Sequence, residues 1–152
     1  ELAKIGALLT HDKDQMVLNL MQINDVIETN FKKVHPEMSL GQMLHQSVSK
    51  SKRNIFPVLD EEERLMGIIV LDDIREIMFD TDLYDSIFVK NLMHAPPEHI
   101  FQGSDTMKAV MKKFQDSGAW NLPVLREGKY VGFISKSKLL TAYRRKLINF
   151  SA

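Results

Sequence analysis

The sequence predicts an α+β fold made of two βαββα repeats that pack about a pseudo-two-fold axis. The first observation is an internal repeat, because Asn54–Leu59 reappears as Asn121–Leu125, with the prolines of the two segments 66 residues apart. The second is that each copy continues through a polar turn into an apolar strand that begins with a glycine, Gly67 or Gly132. The third is that one unit alone is too small to bury both faces of a three-stranded sheet, whereas two units can pack sheet against sheet.

Each repeat also opens in the same way. Ile23–Ile27 begins the first copy, and Val89–Met93 begins the second copy 66 residues later. One apolar residue of strand character follows in each, Val34 or Ile100. Apolar residues then recur at helical spacing, which predicts one amphipathic helix per repeat. The residues that define these two helices are Leu40, Met43, Leu44 and Val48, and then Met107, Val110, Met111 and Phe114.

Caps and turns set the boundaries of the elements. Ser39 and Asp105 stand just before the two helical patterns, so we expect them to be N-caps. The polar stretch after each proline segment predicts a hairpin turn. Closing helices are expected over about 72–79 and 137–147, and a leading helix over about 13–22 with Met16, Val17, Leu20 and Met21 on one face. The predicted organisation is a leading linker and helix 1–22, repeat 1 at 23–79, a connector 80–88, repeat 2 at 89–147 and a tail 148–152.

Composition excludes several classes of function. Lys+Arg and Asp+Glu both number 20, and this balance argues against a nucleic-acid binder. The chain has no cysteine, so disulfides and thiolate metal sites are excluded. The five histidines are scattered, and no nucleophile elbow or HExxH motif is present, so we expect neither a metal site nor catalysis. No apolar run is long enough to span a membrane, and the first residue, Glu1, suggests a fragment of a longer protein.

The repeated Pro-Val strand, followed by Gly and an apolar strand, resembles the CBS domain, which usually occurs as a tandem pair. The resemblance covers roughly residues 23–147. The flanking segments further resemble the cytoplasmic C-terminal region of bacterial CLC-type chloride channels and transporters. The segments that carry this second resemblance are Glu1–Lys4, Leu9–Asp14, Arg53–Val58, Leu71–Arg75, Trp120–Val124, Tyr130–Lys138 and Tyr143–Arg145.

This resemblance implies a non-catalytic regulatory domain at the cytoplasmic face of the cell inner membrane. Its partners would be a second copy of itself, in a homodimer, and the membrane domain of the same polypeptide, with no nucleic acid involved. ATP, ADP or AMP would be the regulatory ligand, and dimer rearrangement would modulate ion transport. Two alternatives stay open: a nucleotide-sensing module of another transporter or enzyme, and a ligand-free structural dimerisation module.

In CBS pairs the nucleotide motif is Gly-h-h-Thr/Ser-x-x-Asp, where h is apolar, and both copies depart from it here. Repeat 1 keeps the acid, Asp73, but has Val70 at the hydroxyl position; repeat 2 keeps the hydroxyl, Ser135, but has Lys138 at the acid position. Lys138 cannot accept a hydrogen bond from a ribose, although it could meet a phosphate. The candidate cleft residues are Val34, Arg53, Asn54, Pro57, Asp73, Ile100, Trp120, Asn121, Pro123, Ser135 and Lys138.

Each of these candidates also has an ordinary structural interpretation. Asp73 could be a helix N-terminal charge rather than a ribose acceptor. Ser135 and Lys138 could lie at a solvated strand end and helix start. Trp120 could stack on an adenine, although such a residue is more often in a core or an interface. Arg53 could meet a phosphate or simply face solvent. The basic closing helix of repeat 2 could face lipid headgroups or water.

Overall fold

The structure, a computed structural model, describes residues 14–151. The expected junction Glu1–Lys4, the segment Leu9–Lys13 and the predicted first residue of the leading helix lie outside these residues. Helix α1 covers residues 14–20. Its buried face is narrower than predicted: Val17 and, just after the helix, Met21 are buried, whereas Met16 and Leu20 are 52% and 55% exposed.

The chain forms two units, each of which contains the opening segment of the other repeat. Among the described residues, unit 1 consists of 14–28, 97–124 and 133–151, and unit 2 of 29–96 and 125–132. Within unit 1, Glu28 and Phe133 exchange two backbone hydrogen bonds of 2.8 and 2.9 Å. Within unit 2, His94 and Ile68 do the same at 3.1 and 2.8 Å. The start of each repeat therefore completes the sheet that belongs to the other.

Unit 2 is built around a hairpin of β1 (Ile55–Leu59) and β2 (Leu65–Val70), antiparallel with Pro57 opposite Ile68. Helix α2 (Leu40–Gln46) packs on this hairpin, followed by α3 (Leu71–Ile74) and α4 (Val89–Leu92). The predicted cap Ser39 is confirmed, since its side chain accepts from the Gln42 amide in a capping box. The apolar core consists of Val34, Leu40, Met43, Leu44, Phe56, Val58, Ile69, Ile74 and Val89.

The closing helix of repeat 1 is shorter than expected. The predicted span 72–79 is helical only to Ile74 and continues as turns. Ile77 and Met78 still pack against the unit 2 core, so the apolar pattern marked burial correctly. The chain then enters a new short helix, Thr81–Leu83, where the Asp80 side chain accepts from the Asp82 amide. The end of repeat 1 therefore consists of two short helices that are joined by turns.

Unit 1 contains β3 (Ile100–Phe101), α5 (Met107–Ser117), β4 (Asn121–Arg126), β5 (Lys129–Ser135) and α6 (Lys136–Ser151), apart from the hairpin tip at 125–132 that clusters with unit 2. The strand order is β3-β4-β5. The cap prediction at Asp105 is wrong, because Thr106 caps α5 by accepting from the Ala109 amide at 3.1 Å. Asp105 instead accepts from the Phe101 amide and from Lys113, each at 2.7 Å.

The long closing helix α6 is attached to α1, within unit 1, through Tyr143. The Tyr143 hydroxyl donates to the Asp14 carboxylate. Burial raises the pKa of Tyr143 to about 12, and the hydrogen bond to Asp14 and its negative charge act in the same direction. Across the described residues, no helix combines the length and the hydropathy that crossing a bilayer requires. The mixed helix and strand content confirms the predicted α+β class.

Candidate ligand-binding site

The two repeats place equivalent candidate residues at two edges, each of which lies within one unit. We name the repeat 1 edge after Arg53, Asn54 and Asp73, and the repeat 2 edge after Trp120, Ser135 and Lys138. At both edges the second hairpin strand runs directly into a helix. The first amide of that helix is held by the residue that precedes the proline strand: Leu71 donates to the Asn54 carbonyl, and Lys136 to the Trp120 carbonyl, each at 2.8 Å.

At the repeat 1 edge, several candidate residues form the framework rather than an open surface. Val34 is 3% exposed and bridges Val58 in parallel, with its amide donating to the Pro57 carbonyl at 2.9 Å. Pro57 is also buried. Asn54 is exposed and holds α3 through its backbone. The side chains available at this edge are therefore those of Asn54, Asp73 and, in part, Arg53.

Asp73 has a partner that the sequence did not reveal. His94 Nε2 lies 3.0 Å from Asp73 Oδ2, and His94 Nδ1 lies 3.1 Å from the Ala95 carbonyl oxygen. Both side chains of this pair are about half exposed, 45% for His94 and 55% for Asp73. Because the carboxylate only accepts, the imidazole donates to it through the hydrogen on Nε2. The carboxylate expected for a ribose is thus already engaged.

The position of His94 depends on a glycine. A Cβ atom at Gly67 would lie 3.0 Å from the His94 carbonyl oxygen and 3.4 Å from Met93 Cβ. The contact with the carbonyl oxygen would be tighter than side chains normally allow, so this oxygen would have to move. Gly67 therefore lets the Met93–His94 segment lie close against β2, and this approach carries the imidazole to α3. The second carboxylate of α3, Asp72, is bound separately by Arg75 at 2.6 Å.

Arg53 lies over an aromatic ring. Its guanidinium carbon is 4.5 Å from the centroid of the Phe31 ring, which is cation–π geometry. Tyr130 lies in the same unit, and burial raises the pKa of its hydroxyl well above the usual range, while the positive charge of Arg53 opposes that shift. Arg53 is thus held among aromatic side chains, and it is only partly exposed.

The repeat 2 edge is more open and more positively charged. The Trp120 side chain is not in the core, since it is 71% exposed, and Lys136 Nζ lies 5.2 Å from the ring centroid. Ser135 Oγ accepts from the Lys138 amide at 3.0 Å and so satisfies one amide of the first turn of α6. The Lys138 side chain is exposed. Indole, hydroxyl and two ammonium groups thus surround the start of α6.

The other repeat 2 candidates belong to the framework of the sheet. Ile100 is fully buried, Pro123 is buried and Asn121 is half-buried on β4. They shape the strand, and they present little side-chain surface. Within residues 14–151, the structure brings no three His, Asp or Glu side chains together in a way that could hold a metal ion.

Sequence reasoning did not select His94 or Lys136 as site residues, although a signal was present for each. His94 directly follows the repeated Val89–Met93 segment, and Lys136 directly follows Ser135. Extending each repeated segment by one residue would have found both. Only the structure shows that the first reaches Asp73 and that the second covers Trp120.

Comparison with solved structures finds the same fold in other proteins. A CBS domain protein from Streptococcus pneumoniae TIGR4 superimposes with a TM-score of 0.72 at 20% identity, covering 93% of this chain and 97% of that one. The CBS domain of the bacterial CNNM/CorC family Mg²⁺ transporter, solved in complex with ATP, gives 0.71 at 15% identity, covering 86% and 92%. The cytosolic domain of the Mg²⁺ channel MgtE, also with ATP, gives 0.63 at 19% identity, covering 79% of this chain and 48% of that one.

These identities establish likeness of fold, and the last comparison spans about half of the solved chain. A comparison with curated protein sequences found no match. The profile of the family described as CBS domain matches twice, at residues 23–80 and at residues 89–145. Two matches in tandem account for both βαββα repeats. The chain therefore belongs to the CBS domain family and carries two copies of that domain.

Proposed function

We propose that this chain is a non-catalytic regulatory domain that senses an adenine nucleotide at the repeat 2 edge. One observation carries the proposal: Trp120, 71% exposed, lies beside Lys136 at the first turn of a 16-residue helix. Exposing a tryptophan ring to water forgoes the stabilisation that its burial would give. An aromatic base that stacks on the ring would recover much of that apolar contact.

The remaining groups at this edge suit the polar parts of a nucleotide. Ser135 Oγ accepts from the Lys138 amide, and its hydroxyl proton can still be donated to a phosphate oxygen. Lys136, Lys138 and the positive end of α6 add charge of the right sign. The lysine at the acid position leaves the ribose hydroxyls without a carboxylate acceptor. Such a bond contributes ~1.5–3 kcal/mol, so we expect affinity roughly ten- to hundredfold below that of a complete motif.

The comparisons support the choice of ligand. The CNNM/CorC CBS domain and the MgtE cytosolic domain were both solved in complex with ATP. Asp73 at the repeat 1 edge is paired with His94, so repeat 2 is the edge whose groups are free to receive a ligand. We accordingly assign the ligand to Trp120, Ser135 and Lys138.

Trp120 supplies its own reporter, because it is the only tryptophan in the sequence. Titration with ATP, ADP and AMP should quench its fluorescence, and calorimetry should give a matching heat. Lys138→Gln should weaken ATP binding several-fold, whereas Lys108→Gln, an exposed lysine on α5, should leave it unchanged. No quenching and no heat at millimolar nucleotide would refute the proposal.

We further propose that the domain regulates a CLC-type chloride channel or transporter at the cytoplasmic face of the inner membrane, as a homodimer. The flanking motifs support this assignment, and so does the fact that two of the similar solved structures are domains of Mg²⁺ transport proteins. The full-length protein in liposomes should pass chloride in a nucleotide-dependent way. Mg²⁺ flux without chloride flux would instead assign it to another transporter. Sedimentation should show a concentration-dependent dimer of the isolated domain.

A second candidate function is a ligand-free dimerisation module. The His94–Asp73 pair favours it, because this contact removes the one carboxylate that the nucleotide motif retains. Lys138→Asp distinguishes the two functions. If the natural protein binds no nucleotide and the variant gains binding, the repeat 2 edge is a degenerate site and the module acts through dimerisation alone.

A further inference from the structure

The charges of this neutral chain are unevenly distributed, and α6 carries the most concentrated positive charge. Its 16 residues, Lys136–Ser151, include five Lys or Arg and no Asp or Glu. Three of the cations are consecutive, Arg144, Arg145 and Lys146, and all three are exposed. Within residues 14–151, no salt bridge engages any of these three side chains. Among the described residues, pairing with carboxylates therefore does not account for this positive charge.

An apolar pocket lies directly beside these cations, in unit 1. Met21 and Val26, both buried, form its floor together with Ala142 from α6. Arg145 and Lys146 stand at its rim. The pocket has a volume of about 180 Å³, and the surface that lines it is mainly apolar. The complete lining is Met21, Gln22, Asp25, Val26, Ala142, Arg145, Lys146 and Asn149.

The pocket combines two features that one class of partner would need together. An apolar floor suits an aliphatic chain, and two rim cations against one carboxylate, Asp25, suit an anionic headgroup. Ile148, 67% exposed, is three residues after Arg145 and therefore its neighbour on the helix surface, so it extends the apolar area. Phosphate groups alone would not need the apolar floor, and an apolar peptide would not need the cations.

We propose that α6 and this pocket form a docking surface for anionic phospholipid at a bilayer surface. Arg145 and Lys146 contact headgroup phosphates, while Ile148 and the pocket floor take up the region where headgroups meet acyl chains. Each cation near an anionic membrane surface contributes about 1 kcal/mol, so these two together give roughly thirtyfold in affinity. This surface goes beyond nucleotide sensing, and it does not depend on a ligand at the repeat 2 edge.

Vesicle flotation tests the proposal with the chain as it is. The wild-type protein should float with vesicles that contain about one third phosphatidylglycerol in phosphatidylcholine, and it should stay behind with pure phosphatidylcholine. Arg145→Gln with Lys146→Gln should weaken binding about thirtyfold. Ile148→Gln should give a smaller loss, below about tenfold, because it removes one apolar side chain that lies only partly within the bilayer when the protein is bound.

The matched control is Lys50→Gln with Lys52→Gln, which neutralises two exposed cations far along the chain from α6. It should bind like the wild type. Equal loss in the control, equal binding to neutral vesicles, or no binding to anionic vesicles would each overturn the proposal. Circular dichroism of each variant separates misfolding from lost binding, and nucleotide calorimetry on the same samples keeps this outcome separate from that of the proposed function.

Discussion

The starts of α3 and α6 occupy equivalent positions in the two repeats, yet they leave very different groups available. At α3 the acid Asp73 is paired with His94, and the neighbouring Arg53 lies on the Phe31 ring. At α6 the hydroxyl Ser135 caps the helix, and Trp120 stays exposed. The difference shows that a motif residue is not a site residue until its neighbours are known. For Asp73 the deciding neighbour is His94, which directly follows the opening segment of repeat 2.

The largest effect on stability is expected from Gly67→Val, which prevents the close approach of the Met93–His94 segment to β2. The added side chain meets the His94 carbonyl and Met93, so we expect a loss of about 1–3 kcal/mol in the free energy of unfolding. Urea unfolding measures it. Met66→Val, at the adjacent exposed strand position, is the control and should change stability by less than about 0.5 kcal/mol. Equal effects of the two variants would contradict the role given to Gly67.

The second test concerns nucleotide binding at the repeat 2 edge. Trp120→Ala should weaken ATP binding about tenfold or more, because base–aromatic stacking is worth about 1–3 kcal/mol by alanine substitution. Calorimetry measures the affinity directly. Phe79→Ala removes another exposed aromatic ring, 81% exposed on unit 2, and should leave ATP affinity unchanged. An unchanged affinity in Trp120→Ala would place the nucleotide elsewhere.

A third test measures the interaction between Asp73 and His94 at the repeat 1 edge, through a double-mutant cycle of Asp73→Asn and His94→Gln. Both side chains are about half exposed, so their coupling in the free energy of unfolding should lie between about 0.2 and 1 kcal/mol. Asp72→Asn with His94→Gln provides the reference cycle, since Asp72 is bonded to Arg75 instead. Zero coupling in the first cycle would show that the contact is not formed in solution.

The last test concerns the attachment of α6 to α1 and uses the pH dependence of stability. Because the folded-state pKa of Tyr143 is raised from 10.0 to about 12, folding favours its neutral form. The corresponding stability is fully present below about pH 10 and is lost as the pH rises through about 12. Tyr143→Phe should lack this part of the alkaline loss. Thermal unfolding at several alkaline pH values, compared with Tyr84→Phe, measures it; identical slopes for Tyr143→Phe and the wild type would contradict the prediction.

The sequence sufficed for the repeat, the hairpins and the α2 cap, because each depends on residues that are close along the chain. Ser39 needs only Gln42 to complete its capping box. The cap of α5 was misplaced by one residue because Asp105 and Thr106 both have capping side chains. Asp105 does not cap the helix because its carboxylate accepts from the Phe101 amide and from Lys113 instead.

Long-range contacts account for what could not be predicted at the candidate site. His94 lies 21 residues from Asp73, and only the antiparallel bridge to Ile68 brings it there. Trp120 is exposed because it lies on the solvent-facing side of the chain just before β4. A single tryptophan forms no periodic pattern, so the sequence could not predict on which side it lies. The apolar pattern around Ile77 marked burial but not helix length, because turns can also direct such residues inward.

The exchange of opening segments also constrains how the chain can be made and divided. During synthesis, Glu28 emerges long before Phe133, so Glu28 acquires its backbone partner only after the rest of repeat 1 and most of repeat 2 have been made. A cut in the connector would leave β2 and β5 each with unpaired backbone groups along one edge, and such edges recruit strands from other molecules. Two cut or extended chains could satisfy each other's edges by trading these segments, which is domain swapping. The connector therefore determines whether the repeats complete each other within one molecule or between two.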